Sequence, residues 1–137
     1  MKITETDASL KRKCKEVTED MSFWCQEFKE YVQNKKCMSL TASQVGKRHR
    51  IIAVKNRSRK KVFILVNPSI VHQSKKLVDS EERTLSKNAA RTLHKQRPIW
   101  VTIQYMTPDL KKTKSKTFWN RQAAAALHAM DIIDGQL

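Results

Sequence analysis

The sequence predicts an α+β domain in which antiparallel sheets pack around a C-terminal helix, and three stretches carry that prediction. Residues 120–135, N-R-Q-A-A-A-A-L-H-A-M-D-I-I-D-G, hold four consecutive alanines with Leu127 and Met130, all strong helix formers. Ile99, Val101, Ile103 and Tyr105 alternate with Trp100, Thr102 and Gln104, which is the two-residue period of a strand. Two short apolar runs, 49–55 and 62–66, flank the charged segment N-R-S-R-K-K and read as a hairpin. Strands in the middle and a helix at the end place that helix against sheet.

The chain, taken in order, supports one domain over residues 1–137. Residues 4–17 alternate charged and small polar side chains and read as an extended arm. Thr18-Glu19-Asp20 puts acids where a helix dipole welcomes them, and Lys35-Lys36 puts cations at the other end. Between them Met21, Trp24, Phe28, Tyr31 and Val32 recur at helical spacing, so that stripe is core. Residues 37–46 read as a buried connection. The returning strand 62–66 is closed by Asn67-Pro68, and residues 70–72 continue it briefly. Residues 73–98 are polar and basic without clear period. Thr107-Pro108-Asp109 turns the chain, and residues 111–119 return as a basic strand. For the last helix, Asn120 is the expected N-cap and Gly135 the residue that ends it.

Composition bounds the function. With 137 residues, 39% of them hydrophobic, the chain can bury one core. No run of about 18 apolar residues is present, and the N-terminus has neither a signal-peptide core nor a transit-peptide pattern, which implies a soluble cytoplasmic protein with no membrane role. Cys14, Cys25 and Cys37 are odd in number and lack C-x-x-C spacing, so neither a disulfide framework nor a zinc knuckle is indicated. The net charge is +15, and it is uneven: residues 1–46 hold eight Lys/Arg against seven Asp/Glu, residues 47–137 twenty against six. Such a field favours polyanions: RNA or other nucleic acid, a ribosome, or an acidic protein. A solvated basic face with no single partner is the plain alternative.

On the last helix His128 and Ile132 lie four apart and share a face. The register matches H-E-x-x-H, in which two histidines hold a metal and the glutamate moves protons, with Ala129 at the glutamate position and Ile132 at the second histidine. Taken alone this is either a dismantled metal box or a structural histidine on an alanine-rich core helix.

Three separated segments resemble, in order and spacing, the motifs of the peptide deformylases. Leu40-Thr41-Ala42-Ser43-Gln44 is similar to that family's G-x-G-L-A-A-x-Q, Glu82-Arg83-Thr84-Leu85-Ser86 to E-G-C-L-S, and His128-Ala129-Met130-Asp131-Ile132 to H-E-x-D-H. Residues 50–54 and 63–70 resemble its R-I-I-V-I and V-L-I-N-P-x-I strands. The resemblance implies the deformylase fold over nearly the whole chain, with the last helix carrying the metal-box remnant. In that family a divalent iron or zinc ion, held by the Cys of the second motif and both His of the third, activates water to remove formyl from N-terminal formyl-Met. The Glu of the third motif moves the proton, and the Gln of the first motif with the Leu amide of the second stabilises the oxyanion.

Against that pattern this chain has Thr84 for the thiolate, Ile132 for one imidazole and Ala129 for the general base, while His128, Gln44 and Leu85 remain. A catalytic site of this kind takes about three protein ligands, and a threonine hydroxyl is a hard, neutral donor. A missing general base is worth on the order of 10² to 10⁴ in rate. The expectation is therefore a catalytically inactive relative with no catalytic residues, no metal and no cofactor, unless a rewired site recruits Cys37 or Asp131 and still removes formyl groups. Cys37 and Ser39 stand at the family's glycine positions, Ala124 and Ala125 where bulkier residues often line the methionine pocket, and Arg91 where an arginine often sits on the substrate rim.

What remains is binding. The candidate contacts are Lys47, Arg48 and Arg50, the tip cations Arg57, Arg59, Lys60 and Lys61, then Arg91, Lys95 and Arg97, and finally Lys111, Lys112, Lys114 and Lys116. Few exposed aromatics among them point to phosphate contacts of low sequence specificity. A structural subunit of a larger ribonucleoprotein or viral assembly is the other reading. The chain ends without the basic C-terminal helix of many bacterial enzymes, as deformylase-like chains of bacteriophages do.

Overall fold

The computed structural model describes residues 1–56, 58, 61–87 and 91–136, with the backbone alone at Arg91. The readings placed on Arg57, Arg59, Lys60 and the Arg91 side chain fall outside those bounds. Two helices, α1 (Ser22–Gln33) and α2 (Asn120–Ile133), and seven strands make up the fold: β1 (Ser39–Thr41), β2 (Ile51–Asn56), β3 (Lys61–Gln73), β4 (Leu77–Thr84), β5 (Arg91–Pro98), β6 (Trp100–Met106) and β7 (Thr113–Trp119). Five strands form one antiparallel sheet in the order β1-β2-β3-β6-β7, and β4 pairs β5 in a separate two-stranded sheet. No helix among the described residues is long and apolar enough to cross a membrane.

β2 explains how the layers meet. All of Ile51, Ile52, Ala53 and Val54 are fully buried, because the two faces of the strand feed different cores. Ile52 and Val54 join Leu65, Val101, Ile103 and Phe118 in a cluster with α2, whereas Ile51 and Ala53 join Val62 and Val66 in a cluster with Cys25, Phe28 and Val32 of α1. A strand covered on both faces reads as an unbroken apolar run. The core stripe expected on α1 is present, with Trp24 stacked on Phe28 at 5.0 Å between ring centroids.

Four expectations are corrected in detail. α1 begins at Ser22, and Asp20 serves it by accepting the backbone N–H of Ser22 at 2.8 Å and its hydroxyl at 2.6 Å. The other end is capped from across the fold by Lys55, whose ammonium donates to the carbonyls of Val32, Gln33 and Lys35. Asn67-Pro68 does not close β3: Asn67 takes a left-handed φ of 49° at a register shift and the strand runs on to Gln73. There the Asn67 amide pairs with the backbone of Val17 in both directions, at 2.8 and 2.9 Å, so the side chain replaces the partner strand that a bulge removes. Asn120 is the first residue of α2 and not its N-cap; it too is left-handed, at φ 55°, and its N–H donates to the Ile99 carbonyl at 2.6 Å.

The fourth correction concerns residues 73–98, which hold the β4–β5 hairpin. Its period of two is present but written in polar residues: Glu82, Thr84 and Arg97 are the buried positions on these strands, with Pro98. These strands show no apolar alternation and hide charge instead.

Gly135 closes α2 as expected, at φ 73°, and a Cβ there would meet the Lys11 carbonyl oxygen and the Lys13 nitrogen at 3.0 Å. Gly135→Ala should therefore destabilise the fold by about 1 kcal/mol or more, read as a lower urea midpoint at unchanged slope. An unchanged midpoint would show that the arm at 11–13 yields to the side chain.

Candidate functional site

The centre of the molecule lies where α2 passes between the large sheet and the β4–β5 hairpin. Alanines at 123, 126 and 129 let the helix sit close, and they bring His128 beside Thr84 at the end of β4. The Thr84 hydroxyl and His128 Nε2 are 2.9 Å apart, and His128 Nδ1 lies 3.2 Å from Glu82 Oε1. With Nδ1–H donating to the carboxylate, Nε2 is left as the acceptor of the Thr84 hydroxyl. Both ring nitrogens are thus satisfied by side chains of β4.

Glu82 is in turn held by Arg97 through two bonds of 2.8 Å, a bidentate carboxylate–guanidinium pair with both side chains almost fully enclosed. Arg97 reaches on to Asp131 of α2 at 2.8 Å, and Lys95 joins the same carboxylate oxygen at 3.2 Å. Burial alone would raise the pKa of Glu82, but the bonds from Arg97 and His128 and the Arg97 charge outweigh it and hold the pKa at about 2. For Arg97 burial pulls down, while Glu82 and Asp131 pull further up.

The family's ion would need a donor set that this arrangement does not supply. Ile132 and Ala129 are apolar and buried, and Thr84 offers a neutral hydroxyl already directed at the imidazole. Neither candidate for a rewired site stands ready. Asp131 is engaged by two cations, and burial pushes the Cys37 thiol above its ordinary pKa, with Lys55 and Lys35 only partly opposing. The residues present do not fit an iron or zinc ion.

Gln44 and Leu85 are brought together, in a different manner from the one expected. Thr41 and Gln44 form a capping box on the 3-10 turn Ala42–Val45, so Gln44 Oε1 accepts the Thr41 N–H at 2.9 Å. That fixes the amide, whose Nε2 donates to the Leu85 carbonyl at 2.7 Å. A cavity of about 620 Å³ opens beside this centre, lined by Cys37, Met38, Ser39, Leu85, Ala124, Ala125 and His128 among others.

The basic residues divide in two. Arg48 pairs with Glu5 and the Ser9 carbonyl, Arg50 with Asp134, Lys95 and Arg97 with the network above. Those four candidate contacts each form an ion pair within the fold. Lys47 is half-buried. Lys61, Lys111, Lys112 and Lys114 are exposed and, with Lys116, form no ion pair among the described residues. In the sequence Glu82 is one letter of a motif and Arg97 one more cation, since nothing in a single polar stretch marks which charge turns inward. Lys55 was missed for the same reason.

The chain superposes on a peptide deformylase from Plasmodium falciparum with TM-score 0.81 and 26% identity, covering 99% of this chain and 83% of that one. It superposes on a probable peptide deformylase from Synechococcus phage S-SSM7 with TM-score 0.80 and 26% identity, covering 98% and 95%, and on Arabidopsis thaliana peptide deformylase 1B with TM-score 0.81 and 25% identity, covering 100% and 78%. No curated protein sequence matches it significantly. The polypeptide deformylase family model matches residues 2–137, and the chain belongs to that family.

Glu82 gives a pH prediction with a definite sign. Its pKa falls from an ordinary 4.5 to about 2 on folding, so its contribution is complete above pH 4.5 and drains away as pH falls toward 2. Glu82→Gln should cost about 3 kcal/mol or more at neutral pH, since it leaves Arg97 under-compensated, and should flatten the acid limb in that window. Thermal melts of both proteins from pH 2 to 7 would check this; parallel acid limbs would mean another carboxylate sets them.

Proposed function

We propose that this chain is a deformylase-family protein that has given up metal-dependent deformylation and acts as a basic binding module on RNA or a ribonucleoprotein such as the ribosome. The observation that carries the reading is the 2.9 Å contact between Thr84 and His128. The imidazole nitrogen that would face an ion is occupied by the residue standing in for the thiolate, while Ala129 and Ile132 seal the rest with hydrocarbon. With the chemistry lost and a net charge of +15, polyanion binding is what the remaining surface is suited to. The phage protein among the structural relatives fits a viral source for such a module.

Purified protein should carry well below one equivalent of iron or zinc and release formate from a formyl-Met peptide no faster than buffer. It should also be held by immobilised heparin at low salt. Thr84→Cys, Ala129→Glu and Ile132→His made together should restore stoichiometric metal by elemental analysis. Stoichiometric metal with enzyme-like turnover in the unaltered chain would overturn the reading, as would loss of heparin retention at low salt.

A further inference from the structure

The N-terminal arm and the segment leading into β2 read as two basic stretches, K-R-K-C-K at residues 11–15 and K-R-H-R at 47–50. The fold lays them side by side. The Lys15 N–H donates to the Arg48 carbonyl at 3.1 Å and the Arg50 N–H donates to the Lys15 carbonyl at 2.8 Å, which makes a parallel bridge between Lys15 and His49. Alternate residues of extended backbone point to opposite sides, and the two sides here have different fates. Arg48 and Arg50 lie on the side of the buried Cys14, where Glu5 and Asp134 take up their charges. Lys47 and His49 lie on the other side with Lys15. Burial and the charges of Lys47 and Lys15 hold the His49 pKa below its ordinary value, against a smaller opposing pull from Glu19. Neither lysine is in an ion pair among the described residues. His49 Nδ1 is enclosed and meets no partner, so Nε2 is the nitrogen the ring can offer to a ligand. Two ammonium groups and an imidazole held together by the backbone, with no acid paired to them, make a place that an anion completes.

We propose that Lys15, Lys47 and His49 form a docking point for a backbone phosphate of RNA, with the exposed Lys11, Arg12 and Lys13 adding to the field around it. The proposal rests on the polyanion reading above and gives it a place and a contact. Charge complementarity selects the phosphate: the site presents donors from two segments and no acceptor. No aromatic side chain stands in either stretch to stack on a base, so the contact positions the backbone and reads no sequence. The imidazole makes the contact sensitive to pH, because an anion beside Lys47 and Lys15 offsets the repulsion that keeps His49 neutral.

The test follows the His49 imidazole of the full chain by NMR as pH is varied, alone, with a short RNA hairpin and with inorganic phosphate; His49→Gln identifies its resonance among the four histidines. RNA should raise the His49 pKa by about one unit, the reciprocal of roughly tenfold tighter binding to the imidazolium form. Lys15→Gln with Lys47→Gln should raise the pKa in the free protein, since two repelling charges are gone, and should abolish the rise caused by RNA. The same pair should weaken RNA binding about tenfold at ~50 mM salt. Lys75→Gln with Lys76→Gln, which removes equal charge from the turn between β3 and β4, should weaken it by no more than about twofold. Circular dichroism melts of each variant confirm folding. If RNA binds while the His49 titration stays put, if only inorganic phosphate moves it, or if the control pair costs as much as the site pair, the docking point is wrong and the polyanion reading stands. If RNA is not bound at ~50 mM salt, both fall.

Discussion

The buried pair between Arg97 and Glu82 is the interaction on which the centre of this molecule depends. The β4–β5 hairpin has few apolar side chains to press against the rest of the protein, and it is attached by polar chemistry instead. Arg97 clamps Glu82 with two bonds and passes on to Asp131 of α2, while Glu82 holds His128 Nδ1 and Thr84 meets its Nε2. Buried charge of this kind is tolerable only when every member is paired, and removing one leaves its partner stranded in a medium that solvates it poorly. The network therefore fixes the imidazole tautomer and the seat of the hairpin together.

That arrangement makes sense of the residues replacing the family's ligands. A thiolate and two imidazoles gathered without an ion would leave charge and lone pairs facing one another. Threonine, alanine and isoleucine leave one hydroxyl, which finds Nε2, and hydrocarbon that joins the core around α2. The centre is a hydrogen-bonded unit with a cavity beside it.

Charge is used in two ways across the same chain. Arg48, Arg50, Lys55, Lys95 and Arg97 act as internal fasteners between segments distant in sequence. Lys116 of β7 does the opposite: its ammonium lies over the Phe63 and Phe118 rings and forms no ion pair among the described residues. Net charge alone does not separate fastener from contact, since both are Lys or Arg in polar surroundings.

Apolar period and motif spacing carry whatever is legible along this chain. The alanine-rich α2, the stripe on α1, the β2–β3 hairpin and the alternation of β6 are local patterns, and the three ordered motifs named the family that the whole-chain match then showed. Asn67 and Asn120 misled because their left-handed backbones serve a bulge and a helix entry, where turn chemistry continues an element and does not end it. Packing in three dimensions alone reveals that Leu77–Thr84 pairs with Arg91–Pro98, that Arg97 points inward, that Thr84 meets His128 and that Trp119 lies open. Each of these depends on what stands opposite a polar or aromatic side chain across 15 to 44 residues of sequence, and a single chain read in order holds no periodicity that records its partners.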